Sequence, residues 1–161
     1  MHATIKEKQK AGVRHKSFKY HTAVEWTSGR SGRIEAEDRP SVDVSSPPEF
    51  RGEAGVWTPE DLFVAAVNTC TMTTFLAISE KAGFEVVGYR SDAEGTLEFS
   101  DGSFRFTRVV VRPTIIVADH LAIDTAMELI ARAHDKCLVG NSIRAEVEIE
   151  PRIDVLGVAG D

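Results

Sequence analysis

Residues Thr58–Lys81, TPEDLFVAAVNTCTMTTFLAISEK, decide how this chain is read. Thr58 is placed to cap the first free amides of a helix. Pro59 suits the first helical position, where no N–H is needed. Glu60 and Asp61 put negative charge where the helix dipole favours it. No charged residue follows until Glu80, and Gly83 supplies a stop just past Lys81. The stretch predicts one long helix covered on most of its sides. Asn68, Thr69, Thr71, Thr73 and Thr74 make the run too polar, and it is too short, for a membrane span. The expectation is the central helix of a soluble core, with Cys70 near its middle.

Outward from the helix, strand signals dominate. Phe18–Trp26 alternates loosely and carries aromatic and β-branched residues, which predicts a strand. Thr27–Gly32 reads as a turn, followed by short strands over 33–37 and 41–44. Ser45–Val56, with paired prolines and two glycines, reads as a loop. On the other side, Phe84–Leu97 predicts a strand with Gly88 as a bulge. Ser100–Ser103 predicts an Asp-Gly hairpin turn, and Phe104–Val117 the returning strand. Pro113 in that strand predicts an edge or a bulge. Asp119 opens a second amphipathic helix through Leu121, Ala122, Thr125, Ala126, Leu129, Ile130 and Ala133, ending between His134 and Leu138 with Gly140 as its stop. Asn141–Ile149 predicts a last strand, closed by Pro151. The order of strands, buried helix, strands, helix and strand argues an α+β fold with mostly antiparallel sheet.

The bulk composition narrows the function classes. The chain has 161 residues, enough for one domain with a core, and 42% hydrophobic with 27% charged residues argues against whole-chain disorder. A net charge of −6 argues against nucleic acid as partner, since phosphate binding wants a basic face. The basic N-terminal segment IKEKQKAGVRHKSFKYH reads as a solvated arm. It has no apolar h-region, so no secretory signal is expected. With no membrane span expected either, the expected compartment is the cytoplasm.

The chain has two cysteines, Cys70 and Cys137. A lone cysteine in a helix is ordinarily a packing residue. A second thiol at the end of the other helix, beside a glycine turn, changes that reading. Two thiols within bonding range are the minimum a thiol peroxidase needs. One attacks the peroxide and becomes a sulfenic acid, and the other condenses with it to a disulfide. A cation to hold the first sulfur as thiolate, and a carboxylate to hold the cation, complete the set. His134, one turn before Cys137, offers a zinc site with both thiols as a weaker option, against a plain helix C-terminal histidine. His2, His15, His21 and His120 carry no motif. Trp26, Trp57, Phe63 and Phe75 are candidate walls for an apolar pocket, Trp57 foremost, though aromatic residues are more often core.

These residues carry a resemblance. TPEDLFVAAVNTC resembles the helix-opening segment of the OsmC/Ohr family of peroxide-detoxifying thiol proteins, with Glu60 and Cys70 at the matching positions. AHDKCLVGNSI resembles that family's second-cysteine segment through His134, Cys137 and Asn141. The TSGRSGR turn, Thr27 to Arg33, is similar to the glycine-arginine turn of the organic hydroperoxide resistance branch. Thr58 and Leu138 stand where many members carry Asn and Pro. The resemblance implies a single OsmC-like domain over 1–161, with 1–17 as an extended arm, forming an intertwined homodimer with two sites at the interface. It implies Cys70 as the peroxidatic and Cys137 as the resolving cysteine, with Glu60 orienting an arginine. Arg30 matches the turn best; Arg51, near where another branch carries its arginine, and Arg33 stay open. The implied reaction is reduction of organic hydroperoxides by an external dithiol such as a lipoyl group, with no metal or bound cofactor. The alternative is an OsmC-like module that binds a small hydrophobic ligand, with idle thiols.

One point needs no resemblance. Glu60 and Cys70 lie ten positions apart on the expected helix, roughly 15 Å along a straight axis. Either the helix breaks or Glu60 serves a Cys70 of another subunit.

Overall fold

The structure, a computed structural model, describes residues 16–157. All but Lys16 and Ser17 of the expected arm lies outside them. Three short strands, β1 (Ala23–Ser28), β2 (Ser31–Glu35) and β3 (Val42–Ser45), form an antiparallel sheet in the order β1-β2-β3. A 3-10 turn, Pro48–Phe50, leads to helix α1 (Pro59–Lys81). The hairpin β4 (Gly88–Ser100) and β5 (Ser103–Val117) follows, then a 3-10 turn at His120–Ala122 and helix α2 (Ile123–Lys136). A third 3-10 turn, Gly140–Ser142, precedes β6 (Glu146–Ile149) and β7 (Arg152–Val155). Two helices with a three-stranded and a four-stranded sheet make this an α+β fold, as the element order predicts.

Helix α1 begins and ends as its sequence dictates. Asp61 N–H donates to Thr58 Oγ1 (3.0 Å), and Thr58 N–H donates to the Asp61 carboxylate (3.0 Å), a reciprocal capping box. At the other end Gly83 takes a φ of +65°. There Gly83 N–H donates to the Glu80 carbonyl (3.0 Å) and Phe84 N–H to that of Ser79 (2.9 Å), a Schellman closure. Between these ends the helix is unbroken over 23 residues.

Burial corrects one expectation. Val67, Thr71, Phe75 and Ser79, spaced four apart, are the helix's buried residues. Ala66, Thr69, Thr73, Leu76 and Ala77 face solvent. The uncharged run is therefore wider than the face that one chain covers. By length and composition α1 is also apolar enough to cross a membrane, against the expectation set by its threonines. Its buried stripe packs into the core instead. Phe75 joins Ile115, Val117, Ala126, Leu129, Ile130 and Ala133, while Val67 joins Val109, Val111 and Ala145.

The larger sheet is built on β5. It pairs with β4 on one side, antiparallel, and with β6 and β7 on the other, both parallel. Pro113 is thus in a central strand, not at an edge. Its missing N–H is tolerated because the neighbouring strand breaks opposite it. Val111 aligns with Ile149 and Thr114 with Arg152, so the gap at Glu150–Pro151 faces Pro113. Pro151 accordingly interrupts the edge rather than closing the chain, and β7 is an element the sequence pattern does not reveal. The bulge lies at Thr96/Leu97 opposite Thr107, not at Gly88, which simply starts β4. Residues 84–87 and 18–22 are not strand, and Asn141–Ser142 belongs to a 3-10 turn.

At Gly95 the backbone of β4 passes close under α1. A Cβ there would lie 2.6 Å from Val64 Cγ2 and 2.8 Å from Phe106 Cε1. Gly95→Ala is expected to lower stability by about 1–3 kcal/mol through overpacking. Phe75→Ala, which empties the centre of the core, is expected to cost about 3–5 kcal/mol. Urea unfolding followed by circular dichroism reads both, and an unchanged midpoint in either variant contradicts this packing.

Candidate functional site

The core brings the two cysteines together. Helix α2 lays Ala126, Leu129, Ile130 and Ala133 against α1 and the sheet, which carries its C-cap, Cys137, to the middle of α1. Cys137 is buried and Cys70 half-buried, and both are free thiols. One short turn serves both sulfurs. Val139 N–H donates to Cys70 Sγ (3.5 Å), and Gly140 N–H donates to Cys137 Sγ (3.4 Å). Thr71 Oγ1, which also donates to the Val67 carbonyl (3.0 Å), reaches Cys137 Sγ at 3.8 Å. Thr74 Oγ1 lies 4.0 Å from Cys70 Sγ.

This environment separates the two thiols. Burial pushes Cys70 up, but hydrogen bonds from Val139, the Cys137 thiol, Thr74 and the Leu138 main chain outweigh it, and its pKa falls below the ordinary thiol value. Burial pushes Cys137 up. Gly140 N–H and Thr71 oppose this in part, and Cys70 adds to it, so Cys137 stays above the ordinary value. One sulfur is biased toward thiolate and its neighbour toward thiol, the arrangement in which one attacks and the other waits.

The turn is braced from outside. Asn141 N–H donates to the Cys137 carbonyl (2.9 Å), and the Asn141 side-chain amide donates to the Asp135 carbonyl (2.9 Å). Ser142 Oγ donates to the Leu138 carbonyl (2.7 Å). Asn141, singled out by the sequence, therefore ties the turn to the end of α2. His134 lines a small cleft with Asp135, Gly140, Asn141 and Val147. Among the described residues no group of three or more His, Cys, Asp or Glu side chains is arranged to hold a metal.

Glu60 lies elsewhere. Because α1 is unbroken, Glu60 is roughly 15 Å along the axis from its own Cys70. Its neighbour Asp61 is engaged in the cap, whereas Glu60 Oε2 is buried and has no hydrogen-bond partner among the described residues. Glu60 faces a cleft of about 790 Å³ between the loop before α1 and the β4–β5 hairpin. Phe50, Val64, Leu97, Phe104 and Phe106 give it apolar walls, and Glu49, Glu53 and Asp61 add further carboxylates.

The three candidate arginines separate in space. Arg33 pairs with Asp43 (2.8 Å) on the exposed surface of the small sheet. Arg30, on the β1–β2 turn, donates to the Phe50 carbonyl at the wall of the cleft. Arg51 follows Phe50 in the left-handed region, with a φ of +62°, and is exposed. Glu60 and Phe50, whose carbonyl holds Arg30, thus line one cleft, with Arg51 next to Phe50 in the chain, and neither thiol lines it.

The pocket walls differ from those expected. Trp57 is half exposed beside a separate shallow depression, and Trp26 is exposed, its ring N–H donating to the Gly29 carbonyl (3.1 Å). Phe75 is core, and Phe63 stacks on Phe106 at 4.5 Å between centroids. The cleft takes its aromatic residues from Phe50, Phe104 and Phe106. Alternation of Phe104 and Phe106 along β5 is a visible signal; Phe50, in an irregular loop, offers none. The two N–H donors on the thiol turn are equally unreadable, since main-chain groups leave no mark in side-chain pattern.

Comparison with known proteins identifies the family. Residues 52–152 match the family model described as OsmC-like protein. The uncharacterised protein YmaD of Bacillus subtilis (strain 168) is 24% identical over 136 residues, 81% of this chain and 90% of its own length. An OsmC-like protein of unknown function from Vibrio cholerae O1 biovar eltor superposes with a TM-score of 0.76 at 25% identity, over 84% of this chain and 99% of its own. An organic hydroperoxide resistance protein OsmC from Legionella pneumophila shares the fold with a TM-score of 0.68 at 24% identity, over 86% and 98%. With a paired-cysteine turn, a carboxylate opening the central helix and a family match over most of its length, the chain belongs to the OsmC-like protein family.

Proposed function

We propose that this protein is a thiol peroxidase that reduces organic hydroperoxides to alcohols and works as a homodimer. The observation that carries the reading is the thiol pair held by one turn, with one sulfur half-exposed and the other buried, each accepting a main-chain N–H. The organic hydroperoxide resistance proteins among the fold relatives support it.

In the proposed cycle the Cys70 thiolate attacks the terminal peroxide oxygen. An S–O bond forms, the O–O bond breaks, and the alkoxide leaves as alcohol after taking a proton. Cys137 then attacks the sulfenic sulfur, and water leaves as the disulfide closes. An external dithiol, such as a dihydrolipoyl group, reduces that disulfide and is itself oxidised. No resident metal or organic cofactor enters these steps, and a reducing compartment such as the cytoplasm suits them.

A second subunit supplies the remaining groups. Glu60 cannot reach its own Cys70 along a straight helix, so the proposed site pairs the thiols of one subunit with the partner's Glu60. The partner's Arg30, whose guanidinium donates to the carbonyl of the cleft residue Phe50, or the partner's Arg51, next to Phe50 in the chain, would come with it. The uncovered, uncharged face of α1 and the exposed Val24, Trp26 and Trp57 supply apolar surface for such an interface. The cleft, with its aromatic walls, would take the organic part of the substrate. A ligand-binding module that uses the same cleft and leaves the thiols idle is the competing reading.

Thiol titration with intact mass, before and after one equivalent of cumene hydroperoxide, separates the two. The enzyme loses both thiols as an intramolecular disulfide that dihydrolipoamide reverses; unchanged thiols favour the binding module. Cys70→Ser is expected to abolish turnover, and Cys137→Ser to allow one turnover and then stall. Comparable multiple turnover in both variants contradicts these roles. Shared sites have a sharper consequence for Cys70→Ser and Glu60→Gln chains purified as mixed dimers through two different tags. Each homodimer is expected to lose at least about 10²-fold, while the mixed dimer keeps one intact site and about half the wild-type rate. Inactive mixed dimers would rule out a site built from two subunits.

A further inference from the structure

We propose that Arg30 and Arg51 have unlike roles: Arg51 is the arginine that reaches the partner's Cys70 sulfur, and Arg30 is a positioning residue that holds the strained turn presenting it. The inference deepens the proposed function and rests on its two-subunit site.

Arg51 carries a backbone conformation that arginine rarely adopts. Its φ of +62° and ψ of +32° lie in the left-handed region, which glycine fills without penalty. Among the described residues the other non-glycine positions with positive φ are Asp38 and Asp101, whose short polar side chains tolerate it. An arginine has no such device. The glycine of this loop stands one position later. Gly52 cannot be exchanged, because a Cβ there would lie 1.4 Å from the Ser46 carbonyl oxygen. The loop therefore has a glycine where space is needed and an arginine where glycine's freedom is needed. A side chain kept against its backbone preference, beside the cleft residue Phe50, points to a use for that side chain.

Both peptide groups that flank Arg51 are pinned. The Arg51 N–H donates to the Pro48 carbonyl (2.9 Å), and the Gly52 N–H donates to the Pro47 carbonyl (3.1 Å). The carbonyl of the first of these peptide groups, that of Phe50, accepts from the Arg30 guanidinium. Because a peptide group is planar, holding its carbonyl and its N–H together fixes the rotation that sets φ of Arg51. Arg30 grips the same loop through its main chain. Its carbonyl accepts from Ser46 N–H (3.2 Å) and from Ser45 Oγ (3.3 Å), and the buried Ser45 Oγ accepts from Glu53 N–H (2.9 Å). The β1–β2 turn thus clamps the loop on both sides of Arg51. Arg30 spends its guanidinium on this clamp, as Arg33 spends its own on Asp43 (2.8 Å). Of the carboxylates beside the turn, Glu53 accepts from Ser31 Oγ (3.2 Å), and Glu49 and Glu60 line the cleft with it.

Three variants of the full-length protein test the two roles: Arg51→Gly, which removes the side chain and relieves the backbone, Arg30→Ala, which removes the clamp, and the two combined. Cys70 is followed by iodoacetamide alkylation against pH with peptide mass mapping, beside thermal unfolding and kcat/KM for cumene hydroperoxide with dihydrolipoamide. Arg51→Gly is expected to keep or raise the thermal midpoint. It is expected to raise the Cys70 alkylation midpoint by about one pH unit, about tenfold less thiolate at neutral pH. Its kcat/KM is expected to fall by about 10²-fold. Arg30→Ala is expected to lower kcat/KM by about tenfold through misplacement of Arg51, and Arg30→Lys, which keeps a donor for the Phe50 carbonyl, to recover most of that loss. The combined variant is expected to match Arg51→Gly, since a residue that acts only through Arg51 then has nothing to act on. A further loss in the combined variant overturns the inference, and so does a wild-type alkylation profile or a lowered thermal midpoint in Arg51→Gly. Alkylation needs no peroxide. A protein that ignores cumene hydroperoxide yet shows the Arg51→Gly shift, unchanged in the combined variant, loses the peroxidase reading and keeps this one.

Discussion

The unbroken course of α1 is the constraint on which the rest of the molecule depends. A capping box at Thr58 and Asp61 and a Schellman closure at Gly83 fix both ends, and nothing between them interrupts the ladder. A straight helix keeps Glu60 and Cys70 roughly 15 Å apart. Among the described residues each chain therefore keeps its two thiols, with main-chain donors at hand, apart from the acidic cleft that Glu60 lines. In that cleft Glu60 Oε2 is buried and has no hydrogen-bond partner among the described residues. A buried carboxylate oxygen without a donor costs stability, so a chain that retains one has a use for it or a partner that satisfies it.

The sheet sets where the second thiol lands. β5 lies at the centre, and its buried Val109, Val111, Ile115 and Val117 form the floor on which both helices rest. Alanines at 126 and 133 keep α2 close to that floor, and its C-terminus then meets α1 at Thr71. The meeting of Pro113 with the gap at Pro151 belongs to the same scheme. Splitting the edge into β6 and β7 lets a proline occupy the central strand without orphaning a ladder carbonyl partner. The core that carries the thiols is thus assembled from strands whose irregularities cancel one another.

The sequence is legible where side-chain chemistry acts over short distances. The caps of α1, the hairpin turn at Asp101-Gly102, and the amphipathic pattern of α2 each follow from neighbouring residues, and each stands in the structure. Pairing of Cys70 with Cys137 is legible as chemistry, two thiols in matching contexts, though 67 positions separate them. What fails is long-range. Pro113 suggests an edge because strand order cannot be seen locally. Gly88 suggests the bulge because glycine is the visible cue, whereas the register slips at Thr107, which gives none. Trp57 suggests a pocket wall by its size, but an aromatic residue's neighbours depend on loop paths, and the Pro47–Phe50 segment delivers Phe50 instead. The breadth of the uncharged run on α1 signals a demand for cover, and the single chain meets only part of that demand.

The electrostatics of the two halves differ in a way that bears on how work is divided between them. Around Cys70, among the described residues, the hydrogen-bonding groups are dipoles: the Val139 amide at 3.5 Å, the Thr74 hydroxyl at 4.0 Å, the Cys137 thiol and the Leu138 main chain. Dipoles fixed by a braced turn favour a thiolate modestly and at all times, independent of salt. The acidic cleft is the reverse. Glu49, Glu53 and Glu60 give it negative charge that repels a thiolate unless cations stand between them. Arg30 donates to the Phe50 carbonyl at that wall, and Arg51 follows Phe50 in the chain. If the halves meet, the arginine is needed first to make the approach of carboxylate and thiolate tolerable, and only then to orient a peroxide. Removing Glu60 and removing the arginine are therefore unlike changes. In the proposed dimer, loss of the carboxylate would leave a thiolate facing a misdirected cation, whereas loss of the cation would leave two like charges opposed. The main-chain donor to Cys70, Val139 N–H, belongs to the same chain as the sulfur and moves with it.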